Sequence, residues 1–321
     1  MKFLRSRVEE QIGIIEFYNP PHNFMTAGMV RELDELTRDW AADPAIRALI
    51  LTSGIEGLFI THYEIKDILE MFKPLQETPV ALRGVNTLAC RLTGGLLRLL
   101  DAFRPAIGRK VENRLLATKL SGVVELECIH RVFRRLETMP KVTIAALNGE
   151  ALGGATELSL ACDFRLMAAG DYRYGLPEAT VAIIPGAGGT QRMTRLLGFG
   201  KALELMLEGA LLTPQEALRY GLLHRVLPAD ELLPEALELA RRMARRPPAA
   251  VAGIKRAVRI GGSLPLARGL EVEKGAFFSC GYLKDPVKAF EHYLAESEKG
   301  RSDREILEEL AAGKVVDFTG N

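Results

Sequence analysis

Cysteine is scarce in this chain, and its four copies lie far apart, at Cys90, Cys128, Cys162 and Cys280. No two of them form the CxxC spacing that zinc sites and redox motifs use. The sequence therefore excludes a disulfide-stapled domain, indicates no metal site, and predicts a protein of a reducing compartment.

Net charge is nearly absent as well, because 42 basic residues face 41 acidic ones and leave a formal charge of +1. Such a balance gives no general reason to expect nucleic acid as a partner. No uncharged apolar run reaches the length of a membrane span, and the N-terminal MKFLRSRVEEQIG carries charges where a signal peptide needs an apolar segment. We therefore expect a cytoplasmic protein without a transmembrane segment. Its 48% hydrophobic residues are ample for a packed core.

The most informative stretch runs from Lys141 to Arg195 and contains two glycine-rich turns, each close to a carboxylate. Val142 to Leu147 is an apolar, partly β-branched run that is typical of a buried strand. Gly153-Gly154 then opens a segment with the pattern of a helix. The free N–H groups of a helix N-terminus near Gly154 would attract negative charge.

Two carboxylates of this stretch are candidates for proton transfer. Glu157 falls in the first turn of the predicted helix, whereas Glu178 follows Pro177 in what we interpret as an irregular loop. Only tertiary folding can bring them together, and a pair beside backbone donors would be able to move protons and stabilise an oxyanion. Spacing alone leaves a second interpretation open, in which Glu157 complements the helix dipole and Glu178 is a solvated loop residue.

Two segments of this stretch resemble the crotonase family of enoyl-CoA hydratases and isomerases. Their sequences are IAALNGEALGGATELSLACD and YGLPEATVAIIPGAGGTQRMTRLLG. The similarity extends to ADPAIRALILTSG and TPQEALRYGLLHRVLP, and it implies an α/β fold, a crotonase-like spiral of repeated ββα units with a C-terminal helical subdomain. It divides the chain into a core at 1–212 with an atypical basic insertion at about 71–122, a helical oligomerisation subdomain at 213–297, and a helical or mobile tail at 298–321.

The resemblance also implies roles for individual residues. The backbone N–H groups of Tyr63 and Gly154 would form an oxyanion hole, and Glu157 and Glu178 would hold and split one water. An acyl-CoA thioester would contact further residues, namely His62, Lys66, Gly153, Pro185 and Gly186. Coenzyme A would enter as part of this substrate, and no separate cofactor is expected. His62 stands where the family has a glycine, and a side chain at this position restricts the backbone angles that glycine allows in this half of the oxyanion hole.

The implied function is that of an enoyl-CoA hydratase, which adds water across the α,β double bond of an acyl-CoA thioester. Two alternatives stay open. One is another crotonase reaction, either double-bond isomerisation or thioester hydrolysis. The other is a non-catalytic binding or scaffolding protein whose site is closed by His62.

The N-terminal region has the pattern of a strand, a helix and a second strand. Gln11 to Phe17 is β-branched, Thr26 can cap a helix that Asp43-Pro44 ends, and Ala48 to Leu51 is a short apolar run. This order predicts two parallel strands joined by a right-handed crossover.

The insertion contains breaks at Pro74, Pro79, Gly94-Gly95 and Pro105, which predict short helical pieces. A leucine-rich stripe runs from Leu96 to Phe103, and the segment from Lys73 to Lys119 has many more basic than acidic residues. The segment is either an amphipathic cap with a solvated charged face, or a lid whose cations meet coenzyme A phosphates or another anionic surface.

Helices dominate the rest of the chain. Val123 to Leu136 has an inward apolar face, and its His130 is given no role because no nucleophile motif accompanies it. Thr213 and Pro214 start another helix, and Gly221 follows its end. Three more apolar stripes follow at helical spacing, and they predict a surface that packs on something outside the helical subdomain. The resemblance implies that this surface packs on neighbouring subunits, in a homotrimer or a hexamer made of two trimers.

Overall fold

A computed structural model describes residues 1–313 and Phe318. It contains nine strands in that part of the chain: β1 Leu4–Glu9, β2 Ile12–Phe17, β3 Ala48–Ser53, β4 Gly57–Ile60, β5 Val142–Leu147, β6 Gly149–Leu152, β7 Phe164–Ala168, β8 Tyr174–Gly175 and β9 Arg225–Leu227. They form a six-stranded sheet in the order β1-β2-β3-β5-β7-β9 and a three-stranded sheet in the order β4-β6-β8. β1 pairs antiparallel with β2, and all other pairs are parallel.

The helices of the same residues are α1 Ala27–Ala42, α2 Ile65–Gln76, α3 Arg83–Phe103, α4 Pro105–Leu115, α5 Ser121–Thr138, α6 Gly154–Ala161, α7 Gly189–Glu208, α8 Pro214–Arg219, α9 Ala229–Ala244, α10 Pro248–Arg259, α11 Leu266–Gly281, α12 Lys284–Glu298 and α13 Asp303–Ala312. None of them is both long and apolar enough to cross a membrane. In the predicted tail at 298–321, α13 is helical, and residues 314–317 and 319–321 lie outside the described residues.

From β3 onward, consecutive strands alternate between the two sheets. The pairs β3 and β4, β5 and β6, and β7 and β8 each place the first strand in the large sheet and the second in the small one. A helix follows each pair, and these helices are α2, α6 and α7. The predicted spiral of ββα units is therefore confirmed. Because parallel strands all point the same way, the ends of β4 and β6 come together, and this junction positions the candidate site.

Strands β2, β3, β5 and β7 of the large sheet are buried on both faces, because alternate residues of a strand point to opposite sides and both sets are covered. Ile15, Leu51 and Ala145 contribute to the main core, where α1 and α5 also pack. Ile14 and Ile144 face a second core that α9 closes. The apolar stripe of α9 therefore packs on the sheet of its own chain, and the prediction that this stripe meets a neighbouring subunit is wrong.

The stripes of α10 and α11 remain at the surface. Ile254 and Val258 are about two-thirds exposed, at 65% and 66%, and Phe277 and Phe278 are exposed by 74% and 61%. α10 and α11 pack against each other while these side chains point to solvent. An apolar surface of this extent on two adjacent helices is typical of an interface.

Local start signals are confirmed at two helices. The Thr26 side chain accepts a hydrogen bond from the N–H of Met29 at 3.1 Å and caps α1. Thr213 and Glu216 form a reciprocal capping box at α8. β2 and β3 are parallel, as the order strand, helix, strand predicts. The first strand, β1, was missed because its residues are mostly charged and exposed.

The insertion contains one long helix, α3, rather than only short pieces, and α2 continues through Pro74, so the predicted break at this proline is wrong. α3 continues through Gly94-Gly95, so the predicted break there is wrong. A side-chain carbon on Gly94 would lie 2.5 Å from Glu127 Oε1 of α5, so this glycine permits close helix packing. Only part of the leucine-rich stripe is buried. Leu97 is buried, whereas Leu99 and Phe103 are exposed.

Candidate active site

The candidate site begins where β6 ends and α6 starts. Gly153 lies between them with φ +54° and ψ −121°, a backbone conformation that residues with side chains rarely adopt. A side-chain carbon at this position would also lie 3.0 Å from Glu178 Oε1. The turn therefore requires glycine for its backbone and for the space that the carboxylate occupies.

Two backbone N–H groups, of Tyr63 and Gly154, converge at this turn. Thr61 accepts a hydrogen bond from the Leu152 N–H at 3.0 Å, so its carbonyl points toward β6. The N–H of Tyr63 lies two residues further along the chain, and the hydrogen bonds of this segment to Met25 are made by the neighbouring His62 carbonyl and Glu64 N–H. A side-chain carbon on Gly154 would lie 3.6 Å from Tyr63 Cβ, which places the two residues side by side. Within the described residues, neither N–H donates a hydrogen bond.

His62 does not need the backbone freedom of glycine. Among the described residues, positive φ outside glycine occurs at Glu10, Asn23 and Ala182, and His62 is not one of them. Its ring stacks on Phe24 with centroids 4.6 Å apart, and its Nδ1 lies 2.8 Å from the carbonyl oxygen of Tyr63. The histidine side chain is thus held next to the Tyr63 peptide without distorting the chain.

Glu157 is a buried carboxylate, only 3% exposed, in the first turn of α6. Its Oε1 accepts hydrogen bonds from the N–H groups of Ala187 at 2.8 Å and Gly189 at 2.6 Å, and Gly189 is the first residue of α7. Burial raises the pKa of Glu157 to about 7, with a further contribution from Glu178, while the two N–H groups partly offset this. This carboxyl therefore titrates near neutral pH.

Glu178 starts a short 3₁₀ turn, Glu178–Val181, where we expected an irregular loop. Burial raises the pKa of its carboxyl, and Oε2 is buried with no hydrogen-bond partner among the described residues. Its charge acts on Glu157, and Gly153 lies against its Oε1. The two glutamates are thus brought together, and the interpretation of Glu178 as a solvated loop residue is wrong.

The sequence profile of the family described as Enoyl-CoA hydratase/isomerase matches residues 123–301, more than half of the chain. The chain belongs to the enoyl-CoA hydratase/isomerase family. It is similar to a short-chain-enoyl-CoA hydratase of Clostridium acetobutylicum, at 30% identity over 287 residues that are 89% of this chain and 92% of the relative. It is 42% identical over 281 residues, 87% of this chain and 83% of the relative, to a probable mitochondrial enoyl-CoA hydratase of Dictyostelium discoideum.

Solved structures show the same fold. The crystal structure of an enoyl-CoA hydratase from Bacillus anthracis matches with a TM-score of 0.70 and 29% identity, and it covers 92% of this chain and 96% of that chain. The crotonase-like architecture predicted from the sequence is therefore that of known enoyl-CoA hydratases.

The other site residues predicted from the family resemblance are placed around this centre. Pro185 is buried and Gly186 is exposed in the loop that leads into α7. Lys66 is exposed at the second position of α2, where its backbone N–H donates to Glu64 Oε1 at 3.2 Å. Gly153 and His62 lie next to Glu178 and Tyr63, as described above. Lys66 and Gly186 are thus the solvent-exposed members of the set.

The sequence analysis did not identify three residues that support the candidate site. Ala187 and Gly189 hold Glu157 through their N–H groups, and the dense glycines of PGAGG are the signal that such a turn was needed. His130, to which we gave no role, has its Nε2 2.8 Å from the carbonyl oxygen of Gly186. This contact ties α5 to the loop that carries Ala187, and nothing in the helix pattern indicated it.

Proposed function

We propose that this family member is an enoyl-CoA hydratase that adds water across the α,β double bond of an acyl-CoA thioester. As a member of the family with relatives named enoyl-CoA hydratase, the chain is a lyase of the hydro-lyase type. The observation that carries the proposed reaction is the proximity of Glu157 and Glu178 beside two backbone N–H groups that have no hydrogen-bond partner among the described residues.

In the proposed reaction, the thioester oxygen accepts hydrogen bonds from the N–H groups of Tyr63 and Gly154. These donors stabilise the enolate that forms when the hydroxyl of water bonds to the β-carbon. The positive end of the α6 dipole favours the same charge. Because the donors belong to the backbone of folded elements, they cost little reorganisation during the reaction.

The glutamates divide the proton transfers. Glu157, held by α7, accepts a proton from the attacking water, and Glu178 delivers a proton to the α-carbon. Such a pair needs one protonated and one ionised carboxyl, and burial raises the pKa of both carboxyls, which favours the protonated form of each. Proton exchange between the carboxyls after product release would restore the starting state.

The thioester itself is proposed to contact five residues around this centre, namely His62, Lys66, Gly153, Pro185 and Gly186. The exposed ammonium of Lys66 is suited to a phosphate of coenzyme A, whereas the buried Gly153 and Pro185 are suited to the acyl and thioester atoms. We also propose that α4 of the insertion acts as a lid, because Arg109, which it carries, lines the same cavity as Tyr63.

The test is water addition to crotonyl-CoA and longer enoyl-CoA thioesters by the wild type and by Glu157→Gln and Glu178→Gln. Each substitution keeps the shape of the side chain but removes the acid or base, so we expect turnover to fall by about 10²-fold or more. Glu204→Gln, at a surface glutamate of α7, is the control and should retain activity.

Two results would redirect the proposal. If either Glu157→Gln or Glu178→Gln keeps wild-type turnover, that residue is not an acid or base in this reaction. If the wild type isomerises or hydrolyses the same thioesters without hydrating them, another reaction of the family takes its place. Binding without any turnover would identify a non-catalytic member.

A further inference from the structure

The loop that binds Glu157 is itself held by a side chain of α7. Arg192 donates from Nη1 to the carbonyl oxygen of Ala187 at 2.7 Å, while the N–H of the same alanine donates to Glu157 Oε1 at 2.8 Å. A side-chain carbon on Gly188, which has φ +103°, would overlap Arg192 Nη1, so this glycine leaves room for the guanidinium. The guanidinium therefore reaches the proposed base through one residue of the loop.

Glu137, near the end of α5, fixes this guanidinium in place. The two side chains form a pair of hydrogen bonds, from Arg192 Nε to Glu137 Oε1 at 2.8 Å and from Nη2 to Oε2 at 2.9 Å. Both side chains are largely buried, with 14% and 16% of their surface exposed. A further contact comes from α10, where Arg259 Nη1 lies 3.3 Å from Glu137 Oε1. Because a two-point pair fixes the plane of a guanidinium, Glu137 directs Nη1 of Arg192 at the loop.

The charge of Arg192 also acts on Glu157. Burial is the largest cause of the raised pKa of Glu157, and the charge of Glu178 raises this pKa further, whereas the charge of Arg192 lowers it. A positive charge near a buried carboxyl favours the ionised form, which is the form that a general base needs. Glu137 is the counter-charge of Arg192 and offsets part of this effect.

Stability alone does not account for this buried pair. Removing a guanidinium and a carboxylate from water costs free energy that offsets most of their attraction, so packed apolar side chains would stabilise the contact between α5 and α7 equally well. A role in the reaction accounts for three features together. These are the orientation that Glu137 fixes, the hydrogen bond to the Ala187 carbonyl, and a positive charge near Glu157.

We propose that Arg192 is a positioning residue of the hydration reaction and that Glu137 sets its orientation. Arg192 keeps the Ala187 N–H directed at Glu157, and its charge keeps this carboxylate ionised so that it can accept a proton from the attacking water. This inference rests on the proposed hydratase function. It adds two residues that act through the loop rather than on the substrate.

The test measures kcat and KM for hydration of crotonyl-CoA from about pH 5 to pH 9. Arg192→Gln should lower kcat by about tenfold or more near neutral pH with little change in KM, because a misplaced base raises the barrier without weakening substrate binding. The acidic limb of its kcat profile should move to higher pH, since Glu157 then holds its proton more tightly. Glu137→Gln should also lower kcat but move this limb to lower pH, because Arg192 loses its counter-charge.

Two further variants separate the charge of Arg192 from its geometry and from general damage. Arg192→Lys keeps the charge but cannot form the two-point pair, so it should return the acidic limb to the wild-type position and recover only part of kcat. Arg195→Gln removes an exposed arginine of the same helix, which donates to the Gln191 carbonyl and to Ser263, and it should match the wild type at every pH. Circular dichroism shows whether each variant keeps the fold.

An acidic limb at the wild-type position in both Arg192→Gln and Glu137→Gln would overturn the inference, because a structural role alone lowers kcat equally at every pH. A change in KM without a change in kcat would overturn it too. If Arg192→Gln does not fold, the direction in which the limb moves in Glu137→Gln decides the inference.

If the wild type hydrates no thioester, the proposed function fails, and the action of Arg192 on Glu157 is decided without turnover. NMR titration of labelled glutamate carboxyl carbons measures the pKa of Glu157, whose signal is identified by its loss in Glu157→Gln. A higher pKa in Arg192→Gln than in the wild type, together with a lower one in Glu137→Gln, would support the inference. Equal values in the three proteins would overturn it.

Discussion

Replacing the buried carboxyl of Glu157 should stabilise the protein at alkaline pH while it removes activity. The carboxyl titrates near 7 in the folded chain, against an ordinary value of 4.5, because it is almost completely buried. Between these two values the unfolded chain binds fewer protons than the folded one, so the free energy of unfolding falls as pH rises. Glu157→Gln cannot ionise and should not show this loss.

The magnitude follows from the two pKa values. A carboxyl with these values lowers the free energy of unfolding by about 3 kcal/mol at pH 8 and by less than about 1 kcal/mol at pH 5. The amide oxygen of glutamine can still accept from the N–H groups of Ala187 and Gly189, so the hydrogen bonds that do not depend on pH are largely kept. The difference in stability between Glu157→Gln and the wild type should therefore increase by about 2 kcal/mol from pH 5 to pH 8.

Urea unfolding of both proteins at several pH values and equal protomer concentration measures this difference. Glu308→Gln, at an exposed glutamate of α13, is the matched control and should follow the wild type at every pH. If the stability difference for Glu157→Gln stays constant between pH 5 and pH 8, Glu157 is not a carboxyl with a raised pKa, and the proton-sharing pair loses its basis.

Two further predictions concern assembly and the insertion. The chain should sediment as a trimer or a pair of trimers, because the stripes of α10 and α11 are exposed in the single chain, and a monomer at micromolar concentration would contradict this. Replacing Arg109, Lys110 and Arg114 of α4 together by glutamine should raise the KM for enoyl-CoA by about tenfold at low salt and weaken its salt dependence, since exposed charges act through screened attraction. An unchanged KM at low and moderate salt would show that α4 is a structural cap.

Much of the local structure was determined by the sequence itself. Thr26 and Thr213 cap helices at the predicted positions, and Val142–Leu147 is a buried strand. Gly153 has the backbone that only glycine adopts readily at the start of α6. These features depend on hydrogen bonds and φ values within a few residues, so the local sequence contains enough information to predict them.

Other features depended on contacts between segments that are distant in the sequence. The stripe of α9 looked like an intersubunit surface, but the sheet of the same chain covers it. Gly94-Gly95 looked like a break, but it admits α5 beside a continuous α3. In both cases, the local sequence pattern showed which helix face carries apolar side chains or glycines. It did not show which other segment packs on that face.

The candidate site shows the same division. Glu157 and Glu178 could be identified in the sequence as candidate carboxylates, and the family resemblance implied their roles. Their proximity in space depends on the path of the chain through β7 and β8, which brings Glu178 back to α6. The raised pKa of Glu157 likewise follows from burial, and the N–H groups of Tyr63 and Gly154, unpaired within the part of the chain that the structure describes, follow from the ends of strands meeting. Desolvation and proximity are properties of packed elements, and for that reason only the tertiary structure decided them.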